Sequence, residues 1–135
     1  MPRLSVLAVS ARLPGWAEEA CAEYARRMPK GYEVARIWVK NESALRAALP
    51  RNARLVALDE RGRDYTTRQF AELLKSETGF VIGGPDGLSA ELRSEAALVV
   101  RVSSFTLPHA LAQVVLLEQI YRAATMLTGH PYHRA

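Results

Sequence analysis

FVIGGPDGLSAEL, residues 80–92, decides the fold. A run of strand formers stops at two glycines, Pro85-Asp86-Gly87 turns the chain, and Ser89 opens a stretch of helical composition. A short apolar strand handed to a helix through a tight turn is half of a βα unit. Gly83 and Gly84 carry no Cβ, so backbone there can come close to a ligand or to another stretch of chain. Both remain open on the residues, as does a plain strand-to-helix connection. Two nucleotide motifs are excluded. A phosphate loop ends in Gly-Lys-Ser/Thr, but Leu88 and Ser89 follow Gly87. The dinucleotide glycines belong after the first strand, where VSARLPG, residues 9–15, has the wrong spacing.

The same alternation extends outward. Arg3–Val9 reads as a first strand, and Trp16–Met28 as an amphipathic helix stopped by Pro29-Lys30-Gly31. Tyr32–Val39 reads as a second strand and Ser43–Leu49 as a short helix cut off at Pro50. Arg54–Asp59 is the third strand, with a polar loop, ERGRDY, after it. Thr66 opens a helix with Gln69 three residues on as a capping-box partner. Phe80–Ile82, a helix over Ala90–Ala97 and a strand over Leu98–Val102 follow. The last helix starts near Pro108, a residue suited to the first helical position, and runs to about Leu127. Strands alternating with helices predict an α/β fold in a single domain, residues 1–135, with a parallel sheet covered on both faces. Ligands sit beyond the carboxyl ends of such strands, where the loops after Leu58, Ile82 and Val102 converge.

Composition narrows the class. Hydrophobic residues make up 49% and charged residues 24%, a globular balance with no apolar run long enough to span a bilayer. The opening MPRLSVLAVSARLPGWAEE turns acidic too soon for a secretory leader. A single cysteine, Cys21, excludes an internal disulfide and fits a reducing, cytoplasmic setting; flanked by acidic residues, it reads as inert. A net charge of +4 favours a polyanionic partner. The lysines are Lys30, Lys40 and Lys75; every other basic residue is arginine, which suits phosphate contact. His130 and His133 have no cysteine or carboxylate cluster around them, so no metal site is expected.

LPGWAEEACAEYARRMP (13–29), VIGGPDGLS (81–89), SSFTLPHALAQVVLLEQIYRA (103–123) and the ending HPYHR (130–134) together carry a resemblance. They are similar to the small SPOUT-class, trefoil-knotted methyltransferases that modify a pseudouridine of large-subunit (23S) ribosomal RNA at N3. The resemblance covers nearly the whole chain, with two departures. The segment between the second and third strands, residues 36–59, looks shortened, and Gly129 stands where Asn is expected.

The resemblance implies that the last part of the chain threads a loop and that S-adenosylmethionine lies in that knot. It assigns Leu58, Gly83, Val102, Ser103, Ser104, Phe105, Thr106 and Leu107 to the cofactor wall. It implies catalytic roles for His109 and for Tyr132, His133 and Arg134 of the tail, with Arg134 also pairing a phosphate. The chemistry asks for such groups: a uracil-type N3 carries a proton that must leave as the methyl arrives, and histidine is tuned for neutral pH. On the residues alone, a turn cap is the favoured reading of His109 over a catalytic one.

The last helix is apolar nearly all round, which implies burial nearly all round and, in a chain this small, a symmetric homodimer. Arg26, Arg27 and Lys30 at the end of the first helix, with Arg61, Arg63 and Arg68 around the third loop, are candidates for holding RNA. The first group equally serves the helix dipole. The expectation is a methyltransferase acting on the assembled ribosome. Two rivals stand beside it: a non-catalytic ribosome- or RNA-binding protein of the same fold, and a flavodoxin-like signalling receiver with Asp59 as phosphoacceptor. The receiver already lacks the acidic pair after the first strand, where Ser10-Ala11-Arg12 stand.

Overall fold

The structure, a computed structural model, describes residues 3–9, 12–84 and 86–134, the side chain of Arg134 excepted. Ser10, Ala11, Pro85 of the turn and the expected contacts of the Arg134 side chain therefore lie outside the described residues.

Five strands, β1 (Leu4–Val9), β2 (Val34–Val39), β3 (Arg54–Asp64), β4 (Thr78–Ile82) and β5 (Leu98–Arg101), form one parallel sheet in the order β2-β1-β4-β3-β5. Helices α1 (Gly15–Arg26), α2 (Glu42–Ala48), α3 (Thr67–Leu73), α4 (Ala90–Glu95) and α5 (His109–Thr128) alternate with them, and a 3₁₀ turn, Pro131–Arg134, follows.

Strand periodicity sorts the core. Leu4, Val6, Ala8, Val56, Leu58, Phe80, Ile82 and Val100 point to one face and meet α1, α3 and α5. Leu7, Ala57, Val81 and Val99 point to the other and meet Leu45 of α2 and Leu92 of α4. Both faces are covered, as all-parallel sheets require.

Local chemistry sets the helix ends. Asn41 accepts the Ala44 N–H at 2.8 Å, and Ser89 accepts that of Leu92 at 3.1 Å. Thr66 and Gln69 complete the expected capping box. Gly129 ends α5 in the left-handed region at φ 77°, a conformation that both Gly and Asn tolerate, so that departure from the family pattern has a benign reading.

Two expectations are corrected. ERGRDY is not simply a polar loop: β3 continues to Asp64, and after an irregularity between Leu58 and Arg63 it pairs Arg63 with Val100 and Asp64 with Arg101. The Arg101 guanidinium grips the Asp64 carboxylate through two bonds of 2.7 Å. Gly62 permits this return, since a Cβ there would stand 2.7 Å from the Val100 backbone. The receiver is overturned by strand order, for a flavodoxin-like sheet runs 2-1-3-4-5. Here β4 lies between β1 and β3.

Candidate functional site

The carboxyl ends of β3, β4 and β5 open onto a cavity of ≈ 390 Å³. Three stretches wall it: Leu58 to Arg61, then Ile82 to Gly84 with Asp86 and Gly87, and Val102 to Ala112 with gaps. Of the expected cofactor wall, Leu58, Gly83, Val102, Ser103, Phe105, Thr106 and Leu107 line it, and His109 joins them. Ser104 is not among the lining residues; it is exposed. Of the other lining residues, the sequence points to Asp59 only as a receiver's phosphoacceptor and to Arg61 only as an RNA contact, and it gives no signal for Glu60 and Asp86.

The glycines answer the question of what approaches them. A Cβ on Gly83 would lie 2.6 Å from the carbonyl carbon of Gly87, and one on Gly84 2.8 Å from the carbonyl oxygen of Val9. Gly87, at φ 77°, donates its N–H to Gly84 at 2.9 Å. Crossing backbone demands both glycines, and a ligand is not needed to explain them. Gly83 still forms part of the cavity wall because the turn it closes is that wall.

Charges at the rim are unevenly free. The Asp59 side chain is only 3% exposed and accepts the Arg61 N–H at 2.9 Å. The Arg61 and Arg93 guanidinium groups flank it at 3.4 and 3.7 Å. An engaged, sealed carboxylate of this kind does not fit a phosphoacceptor. Glu60 and Asp86 also line the cavity.

His109 is the first residue of α5 and half-buried, and burial pushes its imidazole pKa below the ordinary value. Its Nε2 lies 2.9 Å from the Gln113 carboxamide nitrogen, one helical turn on. Phe105, by contrast, is 81% exposed beside the cavity.

The tail folds back onto the middle of the same helix. The Tyr132 hydroxyl donates to Glu118 Oε2 at 2.9 Å, and the Arg122 Nε–H donates to the same oxygen at 2.9 Å. Arg122 also lies over the Tyr132 ring at 4.7 Å, and Tyr121 meets that ring edge-on at 4.6 Å. Burial, then hydrogen bonding with Tyr24 and Glu118, raises the Tyr132 phenol pKa well above its ordinary value. His130 is tied back through its N–H to the Thr125 carbonyl at 3.0 Å. Nδ1 of His133 is buried without a hydrogen-bond partner among the described residues.

Tyr132 is therefore not beside His109 within one chain. Glu118, its anchor, stands nine positions along α5, about 13 Å up the helix axis at 1.5 Å per residue. The helix is also less covered than expected: Leu111 is exposed, and Val114 and Val115 are only half-buried, although Leu116, Leu117 and Ile120 are fully in the core. Among the candidate RNA contacts, Arg26 and Arg27 both pair with Glu23, the latter at 2.6 Å. Among the described residues, no group of three metal-ligating side chains occurs.

A family model described as "Predicted SPOUT methyltransferase" matches residues 2–133. The chain belongs to this family. Curated SPOUT relatives from Burkholderia thailandensis and Burkholderia mallei, each called "Ribosomal RNA large subunit methyltransferase H", are 44% identical over 155 aligned positions. Each alignment takes in 98% of this chain and 99% of the relative. With 155 positions against a chain of 135 residues, at least 20 positions (155 − 135) fall opposite gaps in this chain, in keeping with a shortened segment.

Solved structures share the SPOUT fold at low identity. A probable methylase family protein from Haemophilus influenzae superposes with a TM-score of 0.66 at 11% identity, over 97% of this chain and 70% of its own. The methyltransferase AviRb from Streptomyces viridochromogenes, in complex with AdoMet, gives 0.52 at 18%, over 88% and 56%.

SPOUT methyltransferases draw their methyl group from S-adenosylmethionine, and the cavity suits a group of that kind. Its volume falls within the ordinary range for small-molecule sites, about 300–1,000 Å³. Leu58, Ile82, Val102 and Leu107 offer apolar surface to a purine, while the Glu60 and Asp86 carboxylates suit a cationic sulfonium.

Proposed function

We propose that this SPOUT methyltransferase methylates N3 of a pseudouridine in 23S ribosomal RNA, on the assembled ribosome, as a homodimer. One observation carries the cofactor half: three segments distant in sequence converge on one cavity at the carboxyl edge of β3, β4 and β5. The RNA half is supported by the 44% identical relatives named for large-subunit ribosomal RNA.

Leu58, Gly83, Val102, Ser103, Phe105, Thr106 and Leu107 would hold S-adenosylmethionine, with Ser104 at the margin. When bound, that cofactor supplies an electrophilic methyl on a sulfonium sulfur. The chain's own residues must hold the base in line and stabilise N3 as its proton leaves. His109 stands at the cavity for that work.

The tail residues Tyr132, His133 and Arg134 act from the partner protomer. The bond of Tyr132 to Glu118 holds it away from His109 of its own chain, while Phe105, Leu111, Val114 and Val115 leave an apolar surface beside the cavity for a second copy to cover. We further propose that the C-terminal segment threads a knot around the cofactor. The chain forms one domain in the cytoplasm, and Arg26, Arg27 and Lys30 contact the RNA backbone.

Mass spectrometry of 23S rRNA from cells lacking the protein tests the function: N3-methylpseudouridine must disappear and return with the purified enzyme on ribosomes. Unchanged modification refutes it. The non-catalytic rival is separated by calorimetry, for it binds ribosomes but takes up no S-adenosylmethionine.

A further inference from the structure

We propose that Gln113 is a positioning residue that holds His109 as the neutral imidazole with its proton on Nδ1, so that His109 meets the substrate as a hydrogen-bond donor. The substrate half of this inference rests on the proposed function; the half concerning the ring does not.

His109 and Gln113 stand four residues apart on α5, the spacing that places side chains on one helix face. Gln113 is 1% exposed, so water does not compete for its carboxamide. Its Nε2 sits 2.9 Å from His109 Nε2. A carboxamide nitrogen can only donate, so the ring nitrogen facing it must accept through its lone pair. A neutral ring whose Nε2 accepts carries its proton on Nδ1. A charged ring would set two N–H groups against each other in a buried place, and burial already favours the neutral form. The charged groups lining the same cavity are Asp59, Glu60, Arg61 and Asp86, and Asp59 is already taken up by Arg61 and Arg93.

Nδ1 is the nitrogen left for the substrate. Among the described residues it has no hydrogen-bond partner, and it is not among the polar atoms sealed from solvent. A ring in this state cannot take the N3 proton, because its one lone pair is engaged. It can donate to a carbonyl oxygen beside N3, where negative charge gathers as N3 gives up its proton. His109 keeps its own proton throughout, and the N3 proton passes to a solvent water molecule.

The test uses the full-length protein labelled with ¹⁵N-histidine, without RNA or cofactor. Long-range ¹H–¹⁵N spectra at neutral pH identify His109 as the signal absent from His109→Ala. The wild type is expected to show an unprotonated Nε2 and a protonated Nδ1. Gln113→Glu, whose carboxylate can only accept, is expected to show both nitrogens protonated, and Gln113→Met to lose the single fixed state. A wild-type Nε2 that carries the proton overturns the proposal, as does a ring state unmoved by either substitution. The wild-type spectrum decides even if neither variant folds.

On ribosomes, Gln113→Met, which frees the ring to carry its proton on Nε2 instead, should lower kcat several-fold while KM for S-adenosylmethionine stays within about 2-fold. A merely structural role would move both together with the melting temperature. An unchanged kcat overturns the donor role. Because the spectra need no substrate, a wrong assignment of the RNA target leaves the result for the ring standing.

Discussion

Two stretches of α5 differ in how their polar groups are used. At the amino end His109 faces a cavity with one ring nitrogen engaged and the other open. From the middle of the helix onward, Glu118 and Arg122 and the tail's Tyr132 satisfy one another, and Tyr121 packs on the tyrosine ring. Open polar groups in a cavity mark a place for ligand, whereas a closed polar cluster marks a fastening. The same helix thus positions a site at its amino end and ties down a tail from its middle onward. Under the proposed function, the tail serves a different protomer's cavity from the one its own helix begins.

The sharpest way to break this comparison is to disable each separately. His109→Ala and deletion from His130 onward should each reduce methylation of ribosomes by at least about 100-fold, the usual scale for losing a proton-handling or positioning group. Mixed dimers of the two variants should regain activity, since one site then has both an intact His109 and an intact tail. If mixing restores nothing, each protomer works with its own tail.

Gly83→Val should come next in size. Its Cβ would meet the Gly87 backbone at 2.6 Å, so the turn must shift, at about 1–3 kcal/mol of stability. Calorimetry should show S-adenosylmethionine affinity falling with it, and undiminished affinity would count against this turn as a cofactor wall.

The closed stretch can be sharpened by Tyr132→Phe, which keeps the ring packing but removes the bond to Glu118. A loss of about 1 kcal/mol is expected in denaturant titration, with a several-fold fall in methylation. The wild-type phenol titrates above the ordinary tyrosine value of about 10. Its contribution to stability is therefore complete below that value and is lost as the pH rises through the higher folded pKa. Absorbance titration of Glu118→Gln should bring the midpoint back down; an unmoved midpoint would mean that Glu118 does not hold the hydroxyl.

The smallest effect is expected at the basic group beside the clasp, where Tyr24 in the last turn of α1 packs on Tyr121. Arg26→Ala and Arg27→Ala remove charges already paired with Glu23 and exposed to water. Methylation should change by less than about 5-fold, with a shallower dependence on salt. A loss as large as that of His109→Ala would make this end part of the site.

Much of this was legible beforehand because the signals were local. The strand period, the Thr66–Gln69 box and the Pro108 start of α5 each lie within a few residues, and each stands in the structure. The continuation of β3 through Asp64 was not legible. Its side chains are polar, and what makes it a strand is backbone pairing with Val100 and Arg101 nearly 40 residues later. For the glycines the sequence leaves a ligand and a crossing chain both open, and only three dimensions bring Gly87 and Val9 against them. Gln113 carried no signal at all: a glutamine in an apolar helix acquires meaning from the ring one turn behind it.

By itself the sequence determined the α/β alternation, the family and the segments that gather at the sheet's carboxyl edge, because periodicity and short motifs act over a few residues. The strand order, the sealing of Asp59, the clasp on Tyr132 and the contact of Gln113 with the His109 ring were decided by the tertiary structure. Each depends on which groups distant in the chain, or turned to one face of a helix, are brought within hydrogen-bond reach.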